Sequence, residues 1–141
     1  PYIVRWPGHV APGTVDDSTI GIFDTIATIG EIAGEKSTLE DAVSFLPCLS
    51  QNSSSRGSIV HHSGAGMFAY RRGAWKYIDG LGDGGWGRSF IYGRGKPVPR
   101  GPTAQLYDLE HDLYERVNLW LDKREKADEL KELLDKARGG A

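Results

Sequence analysis

One cysteine in 141 residues, Cys48, excludes an internal disulfide and leaves the redox compartment open. The single methionine, Met67, is internal. Pro1 therefore either follows a removed initiator or marks a point inside a longer protein. No apolar run approaches the ~20 residues of a membrane span, and no signal-peptide pattern opens the chain. There is no internal repeat, no Gly-x-Ser-x-Gly elbow and no phosphate-binding glycine loop ahead of a helix. Net charge is only −2, so nothing global directs the chain to nucleic acid or to a membrane surface. With 26% charged and 39% hydrophobic residues, the composition is that of an ordinary folded domain.

The most ordered signal lies in Arg56 to Gly80. Ser58–His62, Met67–Arg71 and Trp75–Asp79 are rich in β-branched and aromatic residues, and glycine turns separate them. They read as an antiparallel meander, with Ala104–Leu109 as a fourth strand. Asp122 with Glu125 reads as a capping box. Ala127, Leu130, Leu133, Leu134 and Ala137 follow at spacings of three and four, the stripe of a helix that covers a sheet. Upstream, Tyr2–Trp6 is a short strand candidate. Phe23–Ala33 reads as a helix with Phe23, Ile26, Ala27 and Ile29 on one side, and Gly34 ends it. The expected class is α+β: a four-stranded antiparallel sheet packed by a C-terminal helix, preceded by a strand and a helix.

Charge is uneven. Residues 55–102 carry eight Lys/Arg and two acids, so the middle of the chain is basic while the remainder is acidic. Residues 80–103 include eight glycines and three prolines, a composition costly to order without a ligand or partner.

Several stretches resemble one family in its own order. They are PYIVRWPGHVAPGTV, then Asp24-Thr25-Ile26-Ala27-Thr28 with Glu31-Ile32-Ala33-Gly34, then Ser44-Phe45-Leu46-Pro47. HHS-x-x-G-x-FA-x-R-x-G-x-WKYI follows. Last comes Gln105-Leu106-Tyr107-Asp108-Leu109 with Asp112, Glu115, Asn118 and Leu119. Together they are similar to the C-terminal part of bacterial arylsulfatases of the formylglycine-dependent sulfatase family. The resemblance implies that residues 1–34 are the last strand and helix of the large α/β domain. It makes 35–55 a linker or loop and 56–141 the smaller C-terminal subdomain.

In that family a formylglycine made from Cys or Ser attacks sulfur, and a divalent cation, usually calcium, polarises the sulfate. The resemblance brings neither to this chain. Cys48 is followed by Leu49-Ser50-Gln51-Asn52, which fails the nucleophile motif, and reads as a small apolar core residue. The family's metal ligands lie upstream of Pro1. Asp79 and Asp83 around Gly-Leu-Gly lack the ligand count of a calcium loop. Adjacent His61 and His62 point to opposite faces of a strand, and His9 and His111 stand alone at turns, so a zinc site is not expected. The expected catalytic set is empty and no metal is expected.

Four residues remain as candidates for contact with substrate: His61, His62, Arg71 and Lys76. The family's small domain borders the substrate cleft, and a sulfated anionic ligand would suit this basic region. The chain is expected to support sulfate-ester hydrolysis in a full-length enzyme and to be inactive alone. Two other readings compete with it. One is an oligomeric interaction module, dimerising through residues 1–34. The other is a nucleic-acid contact through Gly93-Arg94-Gly95-Lys96 with Trp86, Phe90 and Tyr92, which the short basic footprint disfavours.

Overall fold

A computed structural model of the chain describes residues 2–50, 55–64, 66–82, 84 and 99–139. Asp83, Trp86, Phe90, Tyr92 and the Gly93–Lys96 run lie outside the described residues, as does most of the Gln51–Ser55 run. The chain divides into two compact units, Pro1–Ile59 and Val60–Ala141.

In the first unit, α1 (Asp24–Ile32) ends at Ala33, and Gly34 follows with φ 82°. A left-handed backbone at that place favours glycine. The buried side of α1 is Asp24, Ala27 and Thr28. The apolar side read from the sequence is thereby divided, with Ala27 buried and the isoleucines exposed. Ile26 and Ile29 are 60% and 61% exposed, and Ile22 just ahead of the helix is 80% exposed. Hydrogen bonds decide the orientation. The Asp24 carboxylate accepts from the Gly21 and Val43 amides and from the Arg56 guanidinium. The Thr28 hydroxyl accepts from the Phe45 amide and donates to the Asp24 carbonyl. Residues 43–45, inside the 35–55 segment, are thereby tied to α1. A short helix α2 (Leu46–Leu49) follows, with Pro47 in its first turn, where a missing amide costs nothing. Phe45 and Cys48 are buried, and the Tyr2 ring meets Phe45 edge-on at 5.4 Å. Tyr2–Trp6 forms no strand: among the described residues no neighbouring strand offers it a ladder.

The sheet comprises β1 (Ser58–His62), β2 (Phe68–Arg72), β3 (Trp75–Ile78) and β4 (Gln105–Asp108), in that spatial order. Pairing is antiparallel at β2–β3 and β3–β4, with Arg71 opposite Lys76 and Lys76 opposite Tyr107. Gly73, φ 58°, makes the tight turn between β2 and β3. α3 (Arg124–Ala137) packs on one face. Its Ala127, Leu130 and Leu134 join Tyr70, Tyr77, Ala104, Leu106 and Trp120 in the core, with Leu133 half-buried beside them. Burying each such leucine contributes about 1.5–3 kcal/mol. Ala137, the last residue of the expected stripe, is exposed. The expected capping box does not form. Lys123 occupies the N-cap and no side chain bonds the first-turn amides. Arg124 instead lies 3.7 Å from the Trp120 ring centre.

β4 needs a partner on its far side, and residues 112–119 supply one. The Asn118 side-chain carbonyl accepts from the Leu106 and Trp120 amides, and its amide donates to the Ala104 carbonyl. The Leu119 amide donates to the Leu106 carbonyl at 2.8 Å. Asp112 accepts from the Val117 amide at 2.8 Å and shapes the turn between. The acidic and amide residues of this run are thus an edge seal for the sheet.

Candidate functional site

Side chains alternate across a strand, so the core fixes both faces. Val60, Tyr70, Trp75, Tyr77 and Leu106 point toward α3. His61, Arg71, Lys76 and Tyr107 therefore share the opposite face, and the register sets the last three side by side across β2, β3 and β4. Three of the four candidates come together there. His62 does not join them: its ring lies 5.6 Å from Phe68 and its Nδ1 is 3.0 Å from the Ser63 carbonyl.

The electrostatics of this face differ from a row of free cations. The Lys76 ammonium donates to Glu115 Oε1 at 2.6 Å, both side chains being largely shielded, 18% and 30% exposed. Glu115 sits at φ 55°, a left-handed conformation uncommon for a non-glycine residue. Arg71 Nε donates to the Gly73 carbonyl at 3.1 Å. Partial burial, then the Lys76 charge, hold the His61 imidazole below its ordinary pKa. Arg71 and His62 push the same way, against Glu115. That shift favours the uncharged imidazole. Burial, followed by the Glu115 and Asp112 charges, pushes the Tyr107 phenol up. That phenol donates to Gln105 Oε1 at 2.7 Å. Gln105 in turn donates to the Gly80 and Gly82 carbonyls at 2.9 and 3.0 Å, pinning the start of the glycine-rich stretch to β4. Glu115 and Gln105 went unmarked as site residues in the sequence. No local pattern places Glu115 on a lysine 39 residues earlier.

Among the described residues, no group fits the formylglycine or the calcium of the resembled family. Cys48 is buried inside α2. Among the described residues, one group has metal-ligand spacing: half-buried Asp108 at the end of β4, with exposed Glu110 and His111 just after it. Two carboxylates and an imidazole fall short of the six to eight oxygens calcium takes. His111 Nδ1 is 2.9 Å from Asp108 Oδ2, which raises the imidazole's pKa and lowers the carboxyl's. A separate open cleft of about 730 Å³ in the first unit is lined by Tyr2, Arg5, Trp6, Asp16, Phe45 and Cys48 among others. It holds one arginine, one aspartate hydrogen-bonded to Ser18, and mostly apolar atoms.

No protein-family model matches the chain. Over 138 residues it is 30% identical to an N-acetylgalactosamine-6-O-sulfatase of Bacteroides thetaiotaomicron, covering 96% of this chain and 26% of that protein. Among solved structures it resembles BT33336S-sulf, from work on the metabolism of multiple glycosaminoglycans by the same species. That match has a TM-score of 0.75 and 26% identity, over 97% of this chain and 28% of the other. A second solved structure, Ps i-CgsB, shares the fold at a TM-score of 0.62 and 18% identity, covering 94% of this chain and 27% of that one. The chain thus spans about a quarter of the length of the relatives it matches. Its motif order and these two Bacteroides likenesses are consistent with a C-terminal sulfatase fragment, and its sheet-and-helix unit has the fold of a sulfatase C-terminal domain.

Proposed function

We propose that this chain acts as the C-terminal part of a formylglycine-dependent sulfatase, supporting sulfate-monoester hydrolysis while the nucleophile and the metal ligands come from elsewhere in the enzyme. The observation that carries the reading is the TM-score of 0.75 over 97% of the chain. It joins a fold match to a chain whose single cysteine is buried and lacks the nucleophile motif. On this reading His61, Arg71 and Lys76 border the substrate cleft. His62 belongs to the structural side of the sheet. The exposed isoleucines of the first unit pack against the rest of the enzyme. The substrate class suggested by the relatives is a sulfated amino sugar, rather than a simple aryl sulfate.

Supplying the purified chain with calcium and a formylglycine-generating enzyme tests the division of labour. No sulfate release above the buffer rate is expected from N-acetylgalactosamine 6-sulfate or from an aryl sulfate. Turnover that survives Cys48→Ala and further purification would refute it.

One observation favours a second reading, an oligomeric interaction module. Ile22, Ile26, Ile29 and Ile32 form an apolar row 45–80% exposed. Such a row invites a second copy through residues 1–34. Light scattering at micromolar concentration, on the intact chain and on one starting at Lys36, separates the readings. A dimer lost on truncation supports the module, and a monomer throughout removes it.

A further inference from the structure

The start of the glycine-rich stretch touches both sides of the sheet. Gly80 and Gly82 lie against β4, where the Gln105 side-chain amide donates to both of their carbonyls, at 2.9 and 3.0 Å. Two carbonyls converging on one amide group fix its orientation. The Gln105 oxygen therefore faces Tyr107 and accepts from its hydroxyl at 2.7 Å. Gly84 lies on the other side of the sheet, against the turn that joins β1 to β2. A side-chain carbon on Gly84 would fall 2.6 Å from Met67 Cε and 2.8 Å from Ser63 Cβ and Oγ, and its φ is 58°. Only glycine makes that approach without strain. Met67 beneath it is 3% exposed, and its amide donates to Ser63 Oγ at 3.2 Å.

We infer that Gly80, Gly82 and Gly84 form a strap across the sheet, latched on one side by Gln105 and on the other by Met67, and that this strap opens as a unit while the sheet beneath stays folded. The energetics set it apart from the strand ladders. Each glycine gives up more backbone freedom on ordering than any other residue. These three are held by the Gln105 amide, by the Gly80 amide on the Ile78 carbonyl at 2.9 Å, and by the packing of Gly84. Segments with little backbone pairing and few apolar contacts open first. The β2–β3 and β3–β4 ladders have regular pairing and the core under α3 behind them. Gln105 is therefore a positioning residue. It sets the path of the chain as it leaves β3, and the Tyr107 hydroxyl holds Gln105 in the orientation that does so.

The test is NMR on the intact chain. Met67 is its single methionine, so carbon-13 labelling of methionine methyls gives one resonance, beside Gly84. In the wild type, hydrogen exchange should show the Gln105 side-chain amide protons protected at least about tenfold less than the β2–β3 ladder amides. Gln105→Met keeps the length of the side chain and removes both donors. It should speed exchange of the Gly80 amide about tenfold, as loss of hydrogen bonds predicts, and should shift the Met67 methyl resonance on the far side of the sheet. Gly84→Ala should produce the same pair of changes from the other latch. Ladder protection should hold in both variants. Gln105 protons that exchange only together with the ladder amides would overturn the inference, because the strap would then open only when the sheet unfolds. A Met67 methyl unmoved in folded Gln105→Met would also overturn it, because the two contacts would then be independent. If melting shows either variant unfolded, the wild-type exchange comparison still decides.

Discussion

Asp24 has no exposed surface and accepts from two backbone amides and from both the Nε and an Nη of Arg56, whose own side chain is 9% exposed. Arg56 also reaches the Asp41 carbonyl and lies 5.1 Å from the centre of the Phe23 ring. Removing one member of such a pair strands the other, at a cost of about 3–5 kcal/mol. Asp24→Ala should therefore collapse the first unit, with exchange protection lost at the Gly21 and Val43 amides while amides of β2 and β3 stay protected. Retained protection at Gly21 and Val43 would show that the carboxylate holds nothing together. The histidines make a second test. His61 should titrate below 6.5 and His111 above it. The signs follow from proton counts. A depressed imidazole pKa means that the unfolded chain binds more protons, so the His61 contribution is complete above 6.5 and fades as pH falls. The raised pKa of His111 gives a contribution complete below 6.5 and lost as pH rises through its folded value. NMR titration of the four ring resonances checks both.

At the scale of elements, α3 is the most legible from sequence, because leucines at helical spacing had one sheet face to cover. Leu130 and Leu134 are 1% and 0% exposed, Leu133 sits at the margin, and Lys131 faces solvent in an ion pair with Asp135. Leu130→Asp should unfold or severely destabilise the domain, Leu133→Asp should cost less, and Lys131→Ala should change stability by no more than about 0.5 kcal/mol. Thermal melts decide. A Leu130→Asp melting point within two or so degrees of wild type would mean that α3 is not packed. The meander was legible for a similar reason: alternation and glycine turns are local. The orientation of α1 was not. Its apolar residues read as one side, yet Ala27 is buried apart from Ile26 and Ile29, because Asp24 and Thr28 turn inward to partners 17 to 32 residues away, a range over which periodicity carries no information. The capping box failed because Arg124 and Trp120 pair at the entry to α3 and the N-cap falls on Lys123. For the candidate face, alternation alone separates His61 from His62. The neutralising Glu115 comes from a distant turn, so the sequence overstated the positive charge.

For the whole molecule, the fold is that of a sulfatase C-terminal domain, and the proposed division of labour assigns the nucleophile and the metal ligands to the rest of the enzyme. Sulfate release from N-acetylgalactosamine 6-sulfate measures both halves at once. Three proteins are compared under formylglycine-generating conditions with calcium: this chain, the Bacteroides N-acetylgalactosamine-6-O-sulfatase cut short of its matching quarter, and that truncated enzyme carrying this chain in the quarter's place. If the proposed division of labour holds, the first two give no turnover and the third gives measurable turnover. Turnover by the chain alone, or a chimera no better than the truncated enzyme, would contradict it.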